Sequence, residues 1–581
     1  MHFASRFSPA CVLTFALALA ACGGGVDDPP VPPGVISLAV GEGRTLTAAQ
    51  AATIEVSGGS AGAEFVLVPF NASQTPSATV ALEFSAAQLT GVTGPPLPQL
   101  APRAGAGLTL TVDGERLQRA AASARFHGDL RRLERTVFAR RMPAARAAWA
   151  RRATMAVAGS GSLAAVPAVG DQLTYNTAAR DQCNPALASM RTGTVVAVTT
   201  RAVIVADNAN PGGGFTTAEY TSIGQQFDNF VHPLLTQTFG TPHDIDANVG
   251  RSIIFYTRAV NELTAAGSEA VVGGFFHPRD LFPKVGPDPN ANDECATSNE
   301  AEMFYMLVPD PNGEVNGNVR SKASVLESTV GVLGHEYQHL INASRRLFVN
   351  DAFDFEDVWL NEGLSHIAEE LLYYSATGLG PRQNITLAQL TSSQARVDAA
   401  NAYQVDNFGR LIEYLENPEA RSPYAEDDEL ATRGATWQLL RYAADRSTRP
   451  QQALWNDLAN SRNSGSTNFT AVLGAFLPMV RDWATAQYTD DAVGPAPATL
   501  QHPSWHFRSI LPTLINRTNP PPYPLRTRSL TDGGSISLTL NGGSAAYLRF
   551  GVGAAATGMI TPTSSGAALP AQVSVTVVRT R

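Results

Sequence analysis

Two short segments constrain what this 581-residue chain can fold into more than any other feature. Residues 335–339 read His-Glu-Tyr-Gln-His, and residues 359–363 read Trp-Leu-Asn-Glu-Gly. Because residues four apart lie on one face of an α-helix, His335 and His339 can present their imidazoles to the same point. Two imidazoles and a carboxylate are a ligand set of catalytic zinc sites, in which a fourth position stays open for water. The two segments therefore predict a metal site built on helices.

The residues around the first segment predict the helix that such a site requires. Ser324 and Glu327 have the spacing of a capping box, with Ser324 as the N-cap. Glu336 follows the first histidine directly, so we expect it to act on water as a general base instead of binding the metal. Apolar residues recur at helical spacing, at Leu326, Val330, Leu333, Tyr337, Leu340 and Ile341.

The second segment lies on a second predicted helix, over about residues 358–374. Glu362, His366 and Glu369 share one face of it, so by spacing alone each of them could contact the metal. The metzincin pattern is excluded, because it requires a third histidine at position 345, which is arginine. A carboxylate near the ligands, Glu369 or Asp357, is expected to accept the N–H of a ligating histidine and fix its tautomer.

The sequence also resembles known metallopeptidases. Residues 359–369 resemble the second zinc-binding segment of the gluzincin peptidases. Residues 334–342, 361–365 and 433–442 more closely resemble the hyicolysin family of bacterial metallopeptidases, within a likeness over about residues 170–490. The resemblance implies one catalytic Zn²⁺ with Glu362 as the third ligand. It places Glu369 as the second carboxylate of the pattern. His366, one turn after Glu362, is expected to hydrogen-bond a neighbour instead of binding the metal.

The activity that the resemblance implies is a zinc-dependent endopeptidase acting on proteins or peptides. Zinc lowers the pKa of its water, and Glu336 accepts the proton and then passes it to the leaving amine. Gluzincins usually add a tyrosine or histidine near the oxyanion. Tyr403, Tyr414 and Tyr424 lie in the right stretch of this chain, and we favour Tyr424.

Two other functions stay open. An aminopeptidase would need a carboxylate that binds the substrate amine, as in the Gly-Ala-Met-Glu-Asn segment of the aminopeptidase N family, which this sequence lacks. A surface binding lipoprotein with an inactive metallopeptidase fold would have no chemical need for Glu336. The formal net charge of −9 argues against nucleic acid as a partner.

The N-terminus predicts an exported lipoprotein. Arg6 supplies a positive charge, residues 12–20 are apolar, and Leu19-Ala-Ala-Cys22 reads as a lipoprotein cleavage site. Cleavage would make Cys22 the acylated N-terminus and so anchor the chain to a membrane. Gly23 after this cysteine favours the outer membrane of a Gram-negative bacterium.

Export also bears on the remaining cysteines. Of the four in the chain, Cys11 leaves with the signal and Cys22 is acylated. Cys183 and Cys295 then remain as a pair in an oxidising compartment, which predicts a disulfide, with two buried thiols as the alternative.

The chain as a whole is predicted to be a multidomain α+β protein. A gluzincin-like catalytic domain, with strands followed by active-site helices, lies between N- and C-terminal β-sandwich-like domains. The arginine-rich region between the first two domains is read as a helical linker or a pro-segment, with a membrane-surface helix as a further alternative. Calcium is conceivable in the Asp/Asn-rich loops 287–299 and 310–318, although neither follows the EF-hand pattern. The predicted regions are 1–21 signal peptide, 22–35 tether, 36–114 β-rich, 115–165 Arg/Ala-rich, 166–490 metallopeptidase and 500–581 β-rich.

Overall fold

The computed structural model describes residues 34–92, 126–158, 166–246, 248–268, 271–284, 295–494, 496–515 and 523–581. The predicted signal peptide and Cys22 lie outside these ranges. Within them, no helix combines the length and the apolar character needed to cross a membrane. The protein is multidomain, with both sheets and helices, as expected of an α+β chain.

The strands form three sheets. In chain order they are β1 Gly43–Thr47, β2 Ile54–Ser57, β3 Ala63–Asn71, β4 Val80–Ala87, β5 Gln172–Asn176, β6 Met190–Val198, β7 Ala202–Asp207, β8 Ser252–Tyr256, β9 Gly274–Phe276, β10 Met303–Met306, β11 Arg528–Ser529, β12 Ser535–Leu540, β13 Leu548–Val552, β14 Thr557–Thr563 and β15 Val573–Arg579.

The α-helices come mainly after the strands of the central sheet. They are α1 Met142–Ala158, α2 Thr217–Gln226, α3 His232–Phe239, α4 Arg258–Glu262, α5 Lys322–Ser344, α6 Val358–Thr377, α7 Leu387–Leu390, α8 Gln394–Tyr403, α9 Val405–Glu416, α10 Leu430–Arg446, α11 Gln451–Ala459, α12 Gly465–Leu473, α13 Phe476–Thr489 and α14 Phe507–Leu514.

Strands from both ends of the chain build one β-sandwich. Its sheets have the orders β1-β15-β3-β13-β11 and β12-β4-β14-β2. In β4, Val80, Leu82 and Phe84 are buried while the residues between them are exposed, so each strand has one apolar face to cover. The prediction of separate N- and C-terminal sandwiches is therefore wrong. Both sheets contain strands from each end of the chain, as where β15 lies between β1 and β3.

The sheet of the central region positions the predicted site. Its order is β5-β6-β7-β8-β10-β9, with β7, β8 and β10 parallel and the short strand β9 antiparallel at one edge. Every residue of β8 and β10 is buried, as expected for strands covered on both faces. Helix α5 packs beside β9 and β10, and α6 packs against α5, α8 and α10.

The helix that carries His335 starts three residues earlier than predicted. Ser321, not Ser324, is the N-cap, and its hydroxyl accepts a hydrogen bond from the Ser324 amide at 3.1 Å. Leu326, one of the apolar residues at helical spacing, is 39% exposed. Helix α6 begins at Val358, as the sequence predicted.

The arginine-rich region is helical over all of its described residues. Helical residues 126–133, a π-turn at Glu134–Phe138, a 3₁₀ turn at Ala139–Arg141 and α1 follow one another without a break, and we call 126–158 the arginine-rich helix. Phe138 and Met142 are buried in the same hydrophobic core as α5 and α6. Part of this helix therefore packs into the protein core, and its role as linker, pro-segment or membrane-surface helix stays a prediction.

The predicted disulfide is present. Cys183 and Cys295 are bonded, with their α-carbons 4.7 Å apart. The bond ties the loop after β5 to the segment that leads into β10. Neither cysteine belongs to the metal-ligand cluster.

Candidate active site

Helices α5 and α6 bring the three predicted metal ligands to one point. Nε2 of His335 lies 3.1 Å from Nε2 of His339. The carboxylate of Glu362 faces both rings, with Oε2 3.4 Å from His335 Nε2 and Oε1 3.4 Å from His339 Nε2. His339 and Glu362 are fully buried and His335 is 6% exposed. Three donor atoms thus converge, with the open side at His335.

The donor set fits a divalent metal ion. All three ligand atoms lie within 4.8 Å of one another. Neither oxygen of Glu362 receives a hydrogen bond of good geometry, although Arg433 Nη1 lies 3.0 Å from Oε2. Burial by itself would raise the pKa of Glu362, but Arg433 and His339 hold that pKa well below its usual value. The carboxylate is therefore ionised and lacks a close partner on the side that faces the imidazoles.

The second nitrogens of the two histidines are held by polar side chains of α6. Nδ1 of His335 lies 2.8 Å from Glu369 Oε1, and Nδ1 of His339 lies 3.0 Å from Asn361 Oδ1. These contacts fix each ring so that Nε2 points to the cluster. Glu369 lies where the sequence predicted a carboxylate that orients a ligand. Asp357, the other candidate, instead pairs with Arg135 at 3.0 Å.

His366 lies beside the cluster and contributes to a second grouping. Its Nδ1 is 3.2 Å from Glu369 Oε2, and His335, His366 and Glu369 also have ligand atoms within 4.8 Å of one another. Glu369 in this grouping is already engaged by both histidines and by Arg410 at 3.3 Å. The set with Glu362 is the better fit, because neither oxygen of its carboxylate receives a hydrogen bond, whereas both oxygens of Glu369 do.

Glu336 occupies the position expected of the base. It follows His335 on α5, and its Oε2 accepts a hydrogen bond of 2.9 Å from the amide of Phe276 in the edge strand β9. Burial raises the pKa of Glu336, against the opposing influence of His335 and Arg131. The carboxylate thus has a fixed orientation and an increased affinity for a proton.

A cleft of about 500 Å³ opens at the metal-ligand cluster. Its lining includes His335, Glu336 and Gly274 of the edge strand β9. Tyr403 at the end of α8 and Arg433 on α10 also line it. The cleft is therefore bounded by the two structures expected around a bound peptide, a sheet edge and a helical wall.

Only one of the three candidate tyrosines reaches this cleft. The hydroxyl of Tyr424 donates to the carbonyl of Ser73 at 2.5 Å in the β-sandwich, so its predicted role near the oxyanion is wrong. Tyr424 instead packs against Trp359 and Phe476 at the junction with the sandwich. Tyr414 is fully buried away from the cleft lining, whereas Tyr403 lines it.

The arginine-rich helix supplies site residues that sequence reasoning missed. His127 lines the cleft, and its ring centroid is 6.2 Å from that of His335. Arg131 is 1% exposed, with Nε 3.9 Å from Glu362 Oε1 and Nη2 donating to the Phe276 carbonyl at 2.9 Å. Burial raises the pKa of the adjacent Glu134 to about 7. The excess of arginine was visible in the sequence, but its proximity to position 362 exists only in the fold.

Comparison with known proteins supports a metallopeptidase relationship. The chain is 33% identical over 169 residues to the neutral metalloprotease ShpI of Staphylococcus hyicus. The match covers 29% of this chain, and the chain spans about a third (33%) of the length of that relative. No model of a protein family matches the chain. The likeness supports a metal-dependent proteolytic function at the level of a family.

Proposed function

We propose that this protein is a zinc-dependent endopeptidase of the gluzincin type. The observation that carries the proposal is the convergence of His335, His339 and Glu362 beside Glu336 in an open cleft. Two nitrogens and one oxygen suit Zn²⁺. The similarity to a neutral metalloprotease supports the same class independently.

The residues beside His335, His339 and Glu362 have separate roles in the proposed peptide hydrolysis. A zinc ion held there would polarise the scissile carbonyl and acidify water. Glu336 accepts the proton, and we assign it to Oε1 because Oε2 already accepts from Phe276. Glu336 then delivers that proton to the leaving amine. Tyr403, the candidate tyrosine that lines the cleft, replaces Tyr424 in the proposed role of donor to the developing oxyanion.

The sheet edge gives the proposal its substrate class. Gly274 of β9 borders the cleft, and an extended peptide can add to such an edge through backbone hydrogen bonds. Backbone recognition of this kind reads chain conformation more than side-chain identity. Unfolded proteins and extended peptides are therefore the proposed substrates.

An assay on a denatured protein tests the proposed activity. The full chain should cleave it, a chelator should abolish cleavage, and added Zn²⁺ should restore it. Internal fragments identified by mass spectrometry would establish an endopeptidase, and sequential loss of N-terminal residues would establish an aminopeptidase. A chain that binds zinc but cleaves neither denatured proteins nor peptides would contradict both, and would favour the binding lipoprotein.

We also propose that the arginine-rich helix regulates this activity, as an inhibitory pro-segment instead of a linker. Arg131 lies between a predicted zinc ligand and the carbonyl of Phe276 on the sheet edge, so it occupies a backbone group that a substrate would use. His127 covers the open side of the cluster at His335. Both contacts compete with a bound peptide.

Variants of the full chain test this part. His127→Ala and Arg131→Ala should each raise the initial rate several-fold, while Arg132→Ala, an exposed neighbour paired with Asp129, should not. An unchanged rate in both variants would show that the arginine-rich helix is a linker and not an inhibitory pro-segment. A lower rate in a variant that melts normally would show that the helix supplies residues needed for catalysis.

Membrane anchoring at Cys22 is a separate proposal, supported by the sequence alone. Cys22→Ser should abolish incorporation of a labelled fatty acid and release the protein from the membrane fraction. Unchanged fractionation and labelling would contradict it.

A further inference from the structure

A second group of acidic side chains lies outside the candidate active site. Asp244 and Asp246 belong to the loop between α3 and β8, and Glu302 directly precedes β10. Their carboxylate oxygens lie within 4.8 Å of one another. Within the described part of the chain, no ion pair reaches any of the three. Three carboxylates thus share one small volume, and none of them forms an ion pair with a described residue.

Glu302 provides an observation that the clustering of acids alone does not. The residue is 3% exposed, its Oε1 accepts from the Ile245 amide at 2.5 Å, and its Oε2 is buried with no hydrogen-bond partner. Buried polar atoms are nearly always partnered, because an unpaired one costs free energy. The unpaired oxygen belongs to the same carboxylate that faces Asp244 and Asp246. It therefore indicates a missing ligand at this point.

The loop has the spacing of oxygen ligands around calcium. Asp244, Asp246 and Asn248 occupy positions 1, 3 and 5 of a turn, as in calcium-binding loops. The loop is not an EF-hand, because the sixth position is Val249, at φ 64°, where an EF-hand has glycine. The acid that an EF-hand carries at its twelfth position is also absent, since Phe255 stands there. Glu302 supplies the remaining carboxylate from a different strand.

We propose that Asp244, Asp246 and Glu302 bind a divalent cation of the calcium class. Every ligand atom of the group is a carboxylate oxygen, which suits Ca²⁺ and contrasts with the imidazole-containing cluster on α5 and α6. The cation would tie the loop to β10. This site does not depend on the proposed peptidase activity.

The loop links this site to the helix that carries the histidines. The His243 amide donates to the hydroxyl of Ser344, the last residue of α5, at 2.8 Å. Arg345 Nη1 donates to the Thr241 carbonyl at 2.7 Å. Cation binding therefore stabilises the C-terminal end of α5 through the loop.

Thermal melting of the full chain, freed of divalent ions, tests the proposal. Millimolar Ca²⁺ should raise the Tm of the wild type by several degrees, and this rise should add to any rise that Zn²⁺ causes by binding at His335, His339 and Glu362. In Glu302→Gln the Ca²⁺ shift should be lost, because the variant cannot present a charged carboxylate to the cation. Glu314→Gln, in the acidic loop that follows β10, is the matched control and should respond like the wild type.

Two results would overturn the proposal. One is an equal Ca²⁺ shift in Glu302→Gln and in the wild type, which would place any calcium elsewhere. The other is no Ca²⁺ shift in the wild type, which would show that protons alone neutralise the cluster. Tb³⁺ luminescence provides a second readout, and it should be abolished by Glu302→Gln and kept in Glu314→Gln.

Discussion

Each carboxylate that faces the metal-ligand histidines is matched by an arginine. Glu362 faces Arg433 at 3.0 Å, and Glu369 faces Arg410 at 3.3 Å. Buried carboxylates stay ionised only when such partners offset the loss of hydration. The arginines therefore keep two carboxylates charged, one to bind a metal and one to orient His335.

Removal of the orienting carboxylate should weaken metal binding without removing a ligand. In Glu369→Ala, His335 loses the partner of its Nδ1, so we expect zinc affinity to fall about 10–100-fold. Competition with a fluorescent zinc chelator measures this change. Asp398→Ala, on the exposed face of α8, should bind zinc like the wild type. Unchanged affinity in Glu369→Ala would show that Glu369 does not orient the ring.

The residues of the site differ in how far sequence could predict them. The spacing of His335 and His339 is local, so a helix suffices to bring them together. Tyr424 was assigned to the oxyanion from its place in the chain. Its hydroxyl instead donates a hydrogen bond to the carbonyl of Ser73, about 350 positions away in sequence. His127 and Arg131 carry no local signal, because only the packing of the arginine-rich helix brings them to Glu362.

Among the helices, α9 and α10 make the closest crossing beside the cleft. A β-carbon placed on Gly434 of α10 would lie 2.3 Å from the backbone carbonyl carbon of Arg410 on α9. Both Arg410 and Arg433 reach the candidate site from this crossing. The absence of a side chain at Gly434 therefore sets the position of two site arginines.

An alanine at this crossing should destabilise the protein. We expect Gly434→Ala to lower the free energy of unfolding by about 1–3 kcal/mol, because overpacking outweighs the better helix propensity of alanine. Urea denaturation measures this change in the free energy of unfolding. Gly494→Ala is the control, since its β-carbon would have no heavy atom within 4 Å. Equal stability of Gly434→Ala and the wild type would mean that α9 moves away freely.

The loop before β8 should give the Ca²⁺ response a definite pH dependence. Burial raises the pKa of Asp246 to about 7 and that of Glu302 to about 9. Because both carboxyl pKa values are higher in the folded than in the unfolded chain, proton binding stabilises the cation-free fold at low pH. This contribution to the free energy of unfolding is lost as the pH rises through about 7 and then about 9. The Ca²⁺-induced rise in Tm should therefore be larger near pH 8.5 than near about pH 5.

The other titratable and charged groups around this loop do not change the expected direction of the pH dependence. Tyr175 and Tyr337 also face the cluster, but burial raises the pKa of both phenols, so they stay neutral. Arg201 and Arg251 lie beside the loop, and Arg251 donates to the backbone carbonyl of Asn248. Melting curves with and without Ca²⁺ at the two pH values measure the difference. A larger Ca²⁺ shift at the lower pH would contradict the assignment.

Strands from the two ends of the chain pair with one another in the β-sandwich. Strand β3 lies between β13 and β15, both from the last part of the chain. Val66 and Phe70 of β3 also belong to the hydrophobic core of the helical part. Alternating patterns predicted β-structure at each end, but a period of two specifies only which face is buried and not which strand is the partner.

Removal of the C-terminal strands should therefore unfold an N-terminal one. After deletion of residues 525–581, β3 loses both neighbours, and its amides should lose their protection from hydrogen exchange. Mass-spectrometric exchange of β3 peptides, compared with the full chain, measures this loss. Unchanged protection in β3 would show that residues 34–92 fold as a separate unit.

The central claim is that Glu336 acts as the base beside metal ligands on α5 and α6. The most direct test compares Glu336→Gln with Glu262→Gln, an exposed glutamate paired with Arg191 and Arg258, for zinc content and for cleavage of a denatured protein. Both variants should bind one zinc ion per chain. Glu336→Gln should lose about 10²–10⁴-fold in kcat, while Glu262→Gln keeps wild-type activity. Wild-type cleavage by a zinc-loaded Glu336→Gln would contradict the account.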